Sequence, residues 1–371
     1  MSGSIIGNTL KISTWGESHG KGLGAVVDGF PAGMELCKED IQCFLDRRKP
    51  GTSFITTPRK EDDLVQIMSG VFEGKTTGAP ISLMILNTSQ HSADYTDIAD
   101  KYRPGHADYG FDAKYGFRDY RGGGRSSGRE TAARVAAGAI CSKLLCQMGI
   151  SVHAYTKSIG PVSIDYDKFD LSQSLKGITG MPDPSAEERA IEYLNKCREQ
   201  NDSAGGTIEC VIKGAPSGIG DPVFDKLDAL FARALMSIGA VKAVEVGDGI
   251  LVSELNGSTD NDGFIKSDTD GIIKATSNHA GGILGGISDG NDIILRCSVK
   301  PTPSIFQTQQ TVDSNGNNVS INIKGRHDPV VVPRAVVVVE CMSSFVLLDA
   351  MLSNMSAKAS NVISFYKKTS K

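Results

Sequence analysis

Among eight cysteines (Cys37, Cys43, Cys141, Cys146, Cys197, Cys210, Cys297, Cys341) the sequence has no C-x-x-C pair and no zinc-finger spacing. That excludes a clustered zinc site and a cysteine-pair framework, and leaves reduced thiols buried in the core of a cytoplasmic protein as the expectation. Positive charge is not in excess either, since Lys+Arg 39 against Asp+Glu 43 gives a net charge of -4. No global field holds nucleic acid or an anionic membrane, so any anion site must be local. The N-terminus does not combine a basic region, an apolar core and a cleavage site, and no apolar run is expected to reach the roughly 20 residues that span a bilayer. No G-K-[ST] follows Gly122-Gly123-Gly124, and no G-x-G-x-x-G follows a clear strand. Those absences argue against ATP and NAD.

Low-complexity linkers and repeats are missing too. A chain of 371 residues, 40% hydrophobic, can bury a large core; by length alone it could hold two or three domains, and one large α+β domain over 1–371 is equally allowed. Strand patterns cover Leu10 to Thr14, Gly24 to Asp28, Pro80 to Asn87, Thr207 to Lys213, Val244 to Glu254, Asp292 to Val299, Val319 to Ile323 and Ala335 to Cys341. Most lack helical crossovers between them, which favours antiparallel sheets in an α+β fold. Helices are expected over Lys38 to Arg48, from Asp183-Pro184 to about Arg198, from Asp221-Pro222 with Gly239 past its end, and over about Ser344 to Ile363.

One further helix, from Arg125 through Gly149, starts behind Gly122-Gly123-Gly124 with Ser127 and Glu130 at capping-box spacing. Arg121, Arg125 and Arg129 surround the same point. Capping explains Ser127 and Glu130 but not three arginines around three glycines, so the helix start reads as a phosphate site. The cluster Arg47-Arg48-Lys49 at a helix C-terminus and Lys300-Pro301-Thr302-Pro303-Ser304 after a strand are weaker phosphate signals.

Four of the six histidines lie in glycine- or proline-punctuated segments beside acids, hydroxyls or arginines: His19, His106, His279 and His327. Loops of that kind display reactive groups, and histidine exchanges protons near neutral pH. A proton-transfer role suits His19 next to Ser18. His91 and His153 read as structural. Two alternatives stay open: a metal-dependent hydrolase or lyase using His19, His106, Asp108 and Asp328, and a non-catalytic phosphometabolite-binding protein using the Arg125 helix.

Three separated stretches, Gly16-Glu17-Ser18-His19-Gly20 through Pro31, Gly124-Arg125-Ser126-Ser127-Gly128-Arg129-Glu130 through Gly138, and Gly325-Arg326-His327-Asp328-Pro329 through Glu340, make the chain resemble the chorismate synthases. Arg103 to Asp108, Asp119 to Gly124, His279 to Ser288 and Lys300 to Thr302 extend the likeness along nearly the whole chain. The resemblance implies helices sandwiched between antiparallel sheets and a homotetramer. It also implies 1,4-elimination of phosphate from 5-enolpyruvylshikimate 3-phosphate, using reduced FMN, to give chorismate. His19 resembles the histidine that protonates the departing phosphate, and His106 the one at the flavin N1/O2 edge. Asp328 resembles the carboxylate that helps the N5 region accept the substrate proton, with Ser18 and Ser127 supporting. For FMN the resemblance points to Arg125, Ser126, Ser127, Gly239, Ala240, Gly285, Lys300, Pro301, Thr302, Pro303, Ser304 and Arg326. For substrate anions it points to Arg48, Arg103, Arg129 and Arg326. Phe54 stands where many relatives have arginine, Gly239 where some have asparagine, and Gly128 where alanine is more usual. With little room for an inserted reductase element, an external flavin reductant is expected, and use of NADPH stays open.

Overall fold

The computed structural model describes residues 3–51, 61–88, 99–266, 271, 273–322 and 328–368. Alternating apolar residues build two five-stranded antiparallel sheets. The first runs β1 (Ile5–Ile6), β2 (Lys11–Gly16), β3 (Gly22–Asp28), β7 (Ile81–Leu86) and β4 (Val65–Ile67). Its inward side chains include Leu23, Ala25, Val27, Ile81, Leu83 and Ile85, all buried. Trp15 faces Gly24 in the β2–β3 register, and a Cβ at Gly24 would come within 2.5 Å of the indole, so only glycine admits that ring. The second sheet runs β11 (Val241–Val246), β16 (Ile293–Val299), β10 (Gly206–Lys213), β8 (Ser151–Ile159) and β9 (Val162–Ser163). Two-stranded ribbons pair β5 (Val71–Phe72) with β6 (Lys75–Thr76), β12 (Phe264–Lys266) with β13 (Ile273–Ala275), β14 (Ile283–Leu284) with β15 (Ile287–Ser288), and β17 (Thr308–Val312) with β18 (Asn318–Asn322).

Helices of a central layer separate the two large sheets, and others lie at the surface. In chain order they are α1 (Lys38–Arg48), α2 (Asp108–Tyr115), α3 (Thr131–Gln147), α4 (Leu171–Ser174), α5 (Pro184–Glu199), α6 (Leu227–Met236), α7 (Gly257–Asp260), α8 (Val332–Asn354) and α9 (Ala359–Lys368). The alanine-rich α3 packs on β3 and β7, while α8 packs on β8 and β10. Where the two helices cross, a Cβ at Gly138 would lie 2.4 Å from the Cys341 carbonyl oxygen, so the close approach depends on glycine. The Asp349 carboxylate on α8 accepts from the backbone N–H groups of Asn8, Thr9 and Leu10 at 2.8 Å each, tying the start of the first sheet to the far end of the helical layer.

The sandwich of helices between antiparallel sheets agrees with the expected α+β architecture. Asp183 caps α5 through Ser185 and Ala186 with Pro184 in the first turn, as the Asp-Pro signal implies. Several local expectations fail. Ala335 to Cys341 is not a strand but lies in the first half of α8, because a segment apolar apart from the paired Glu340 and enclosed by α3 and a sheet takes its conformation from packing rather than from valine's β preference. The helix expected over Ser344 to Ile363 is the end of α8 plus a separate α9. Val244 to Glu254 divides into β11 and a 3₁₀ segment, Gly249–Glu254, and the Asp221-Pro222 signal opens a 3₁₀ turn, Val223–Asp225, before α6. In α8, 23 residues long, the most apolar stretch has a mean hydropathy of 2.0, long and apolar enough to cross a membrane, against the expectation from sequence. That stretch is 89% buried as the core helix. Cys37, Cys43 and Cys146 are exposed, so burial of thiols holds only for Cys141, Cys197, Cys210, Cys297 and Cys341.

Candidate active site

Two 3₁₀ turns, Gly124–Ser126 and Gly128–Glu130, precede α3. The expected capping box is not formed. Ser127 Oγ accepts from the Arg129 N–H at 3.3 Å, but the Glu130 carboxylate turns away to Thr14 Oγ1 (3.0 Å) and to Arg134 Nε (2.8 Å). Backbone N–H groups that a free helix end would offer are already bonded: Ser126 to Gly123 O, Ser127 to Gly124 O and Glu130 to Ser127 O. The three arginines do not converge either. Arg121 forms a bidentate pair with Asp119, Arg125 turns back onto Thr14 and the Gly16 carbonyl, and Arg129 pairs with Asp63. Spacing by four residues implies one face of a helix. Here the backbone bends twice before the α-helix begins, and the side chains fan out.

A different cationic centre forms in the interior. Arg48 Nη1 meets Asp63 Oδ2 at 2.6 Å while Arg129 bonds the other carboxylate oxygen, and all three residues are buried. Arg48 also donates to Thr131 Oγ1 (3.1 Å) and the Gly128 carbonyl (3.2 Å). Burial lowers its pKa to about 10, although Asp63 acts in the opposite sense. Arg334, at the start of α8, joins this centre to Asp328: it donates to the Arg48 carbonyl at 3.2 Å and pairs with the Asp328 carboxylate.

His19 lies on the turn after β2. Its Nδ1 is 3.0 Å from the buried Ser18 Oγ, and the ring packs so closely on Gly122 that a Cβ there would fall 2.5 Å from His19 Cε1. Asn87 at the end of β7 clamps the turn. Its Nδ2 donates to the Glu17 and Gly20 carbonyls (2.9 and 2.8 Å), and its Oδ1 accepts from Arg129 Nε at 2.9 Å.

A second corner surrounds His106. The imidazole Nδ1 is 3.0 Å from the Pro104 carbonyl and Nε2 is 3.1 Å from Ser304 Oγ. A carbonyl only accepts, so Nδ1 carries the proton and Nε2 accepts from the serine hydroxyl. Burial, reinforced by Arg103, lowers the pKa to about 4, and the ring is neutral at pH 7. Lys300 Nζ donates to the Gly105 carbonyl (2.7 Å) and its backbone N–H to Ala240 O (2.9 Å), with burial and then Lys242 holding its pKa below the usual value. Pro303 packs against Gly105. Pro301 abuts Gly205, where an added Cβ would lie 3.1 Å from its ring. Ala240 has φ +72, a left-handed conformation that turns the chain into β11. The two corners meet at the 3₁₀ turns: Ser126 O is 3.9 Å from a Cβ placed on Gly239, and Ser127 backs Gly123.

The structure thus joins Ser18, His19, Ser127, Arg129, Arg48 and Asp328 in one continuous set of contacts, and Ser126, Gly239, Ala240, Lys300, Pro303, Ser304 and His106 in its neighbour. Gly285 follows β14 next to Gly286, whose carbonyl accepts from the Leu227 N–H at the start of α6, whereas Gly239 comes after that helix's C-terminal end. Arg103 is bidentate to Asp108 (2.8 and 2.7 Å) and acts on His106 through its charge. Metal ligation would have to take Asp108 from Arg103 and Asp328 from Arg334. His279 holds a turn through Asp248 Oδ2 at 2.7 Å, and His153 is exposed on β8. Arg326, His327, Phe54 and His91 lie outside the described residues. Sequence reading missed Asp63, Asn87, Thr131 and Arg334. An acidic residue or asparagine without a motif gives no local signal, since Arg129, 66 residues from Asp63 and 42 from Asn87 in sequence, defines the role of each.

Comparison with known proteins matches residues 10–352 to the family described as chorismate synthase. A chorismate synthase of Lachnoclostridium phytofermentans is 61% identical over 99% of this chain and 100% of its own length, and one of Agathobacter rectalis is 58% identical with the same coverage. A crystal structure of a chorismate synthase superposes with a TM-score of 0.76 at 32% identity, covering 98% of each chain.

Proposed function

The chain belongs to the chorismate synthase family and catalyses the last step of the shikimate pathway as a carbon–oxygen lyase, and we propose that it does so by 1,4-elimination of phosphate from 5-enolpyruvylshikimate 3-phosphate with reduced FMN. The observation that carries the flavin reading is the His106 corner. There the Thr302 Oγ1 is buried with no partner among the described residues, and Lys300 is bonded to a carbonyl rather than paired with a carboxylate. Such a corner fits an anionic, hydrogen-bonding cofactor. We assign Ser126, Gly239, Ala240, Lys300 to Ser304 and His106 to it, with Arg125 and Ser127 forming the wall. Gly285 and Arg326 stay in the assignment on family likeness alone. When bound, reduced FMN supplies electron density as phosphate leaves and recovers it afterwards, without net redox change.

His19 gives a proton to the departing phosphate, with Ser18 orienting the imidazole through Nδ1. Asp328, tethered by Arg334, assists removal of the ring hydrogen. Arg48 and Arg129 supply the positive field for the substrate's phosphate and carboxylates, with Arg103 and Arg326 completing it. His106, neutral in the unliganded protein, becomes a proton donor when a neighbouring anion raises its pKa. The same reading includes one catalytic domain, a homotetramer, a cytoplasmic location and an external flavin reductant. NADPH-driven turnover in aerobic buffer would contradict the last of these. The reaction is tested anaerobically with dithionite-reduced FMN. Stoichiometric release of phosphate and chorismate is expected, and no phosphate release would overturn the reading.

A further inference from the structure

We propose that Asn87 is a positioning residue for the elimination, setting the His19 turn in register with the substrate-facing Arg129. The inference rests on the roles given above to His19 and Arg129.

Its basis is the number and direction of the contacts made by one amide. A primary amide has two N–H donors and one carbonyl acceptor. In Asn87 both donors go to the two ends of one turn, Glu17 O at 2.9 Å and Gly20 O at 2.8 Å, and the acceptor takes Arg129 Nε at 2.9 Å. The turn itself is closed by the Gly20 N–H to Glu17 O at 3.2 Å, so the amide straddles that turn and holds His19 from beneath. Backbone pairing of Asn87 N–H to Lys21 O, 3.1 Å, fixes the asparagine relative to β3. On its other side Arg129 is locked to the Asp63 carboxylate that also binds Arg48. Displacement of the turn therefore has to break a contact with a buried charged centre.

No charge or length equivalent reproduces this. Aspartate keeps the Arg129 contact but turns a carboxylate toward two carbonyl oxygens. It separates positioning of the turn from positioning of the arginine. Displacing a reacting group by about 1 Å costs on the order of a hundredfold in rate. In Asn87→Asp, kcat for phosphate release under anaerobic conditions with reduced FMN is expected to fall about 10- to 100-fold, while the KM for the enolpyruvyl phosphate substrate changes less than about threefold. The added negative charge near the imidazole also moves the descending alkaline limb of the kcat–pH profile upward, because it favours the charged histidine. A purely structural asparagine would lower the midpoint of thermal unfolding and the yield of active protein while leaving kcat per folded enzyme at the parent value. Asn87→Ala removes the same donors without adding charge. It gives the same kcat loss with no upward shift, and it serves if the aspartate variant does not fold.

Unchanged kcat in folded Asn87→Asp, or kcat within twofold of the parent in Asn87→Ala, would overturn the proposal. His19→Ala, measured alongside, separates the two levels. If it retains the parent kcat, the underlying assignment of His19 fails. If it loses activity while both Asn87 variants keep theirs, the positioning role alone fails.

Discussion

The two corners of the site handle positive charge in opposite ways. Around Arg48 and Arg129 the protein carries its own counterion: Asp63 bridges both guanidinium groups in a fully buried arrangement, and Arg334 ties the centre to Asp328. Around His106, Lys300 meets a carbonyl, the imidazole is neutral, and the carboxylate of Asp108, which acts on the ring through its charge, is held by Arg103. Internally compensated cations are fixed in place before any ligand arrives. Uncompensated ones carry a desolvation cost that an anionic ligand relieves. The difference assigns rigidity to the first corner and ligand response to the second.

The largest expected effect tests the first corner. Removing its counterion in Asp63→Ala leaves two buried arginines facing each other, and a loss of about 3–5 kcal/mol in unfolding free energy is expected from denaturant titration. Stability equal to the parent would erase the distinction between the corners.

The pH dependence of the second corner comes next. Because the folded pKa of His106 is lowered to about 4 while the unfolded ring keeps its ordinary value near 6.5, the unfolded chain binds more protons between those limits. Its contribution is therefore intact above about pH 6.5 and is lost as pH falls toward 4, on the order of 2 kcal/mol at pH 5. Thermal or urea unfolding of the unliganded protein, compared with His106→Asn, measures it. An equally steep decline in both proteins would show that His106 is not its source. The smallest effect sharpens ligand response. Lys300→Gln is expected to weaken FMN binding about tenfold, read by fluorescence titration, with little change in unfolding, since the lysine gives up a single carbonyl contact. A large stability loss with unchanged FMN affinity would reverse the assignment.

Much of this was legible in sequence where the signal is local. Asp183-Pro184 marks a helix start because an Asp side chain caps its own following N–H groups, and the alternation in Ile293 to Val299 marks a strand because one face is buried. The anion site at Gly122 to Arg129 was legible only in part. Its glycines and serines do join the two corners, but its arginines are drawn in three directions by Asp119, Thr14 and Asp63, none of which spacing identifies. The β-branched run from Val336 to Val339 misled for a related reason. Its local preference is worth less than burial between α3 and the second sheet.

By itself the sequence determined the α+β class, the family likeness, most strand positions and the reactive residue types, because these follow from periodicity, turn chemistry and motifs spanning a few residues. Only the tertiary structure decided which cations are neutralised, that His106 is neutral, and that Asn87, Asp63 and Arg334 bind the His19 turn, the arginines and Asp328 into one unit. Burial and pairing set charge and position, and the partners that create them come together only when the chain is folded.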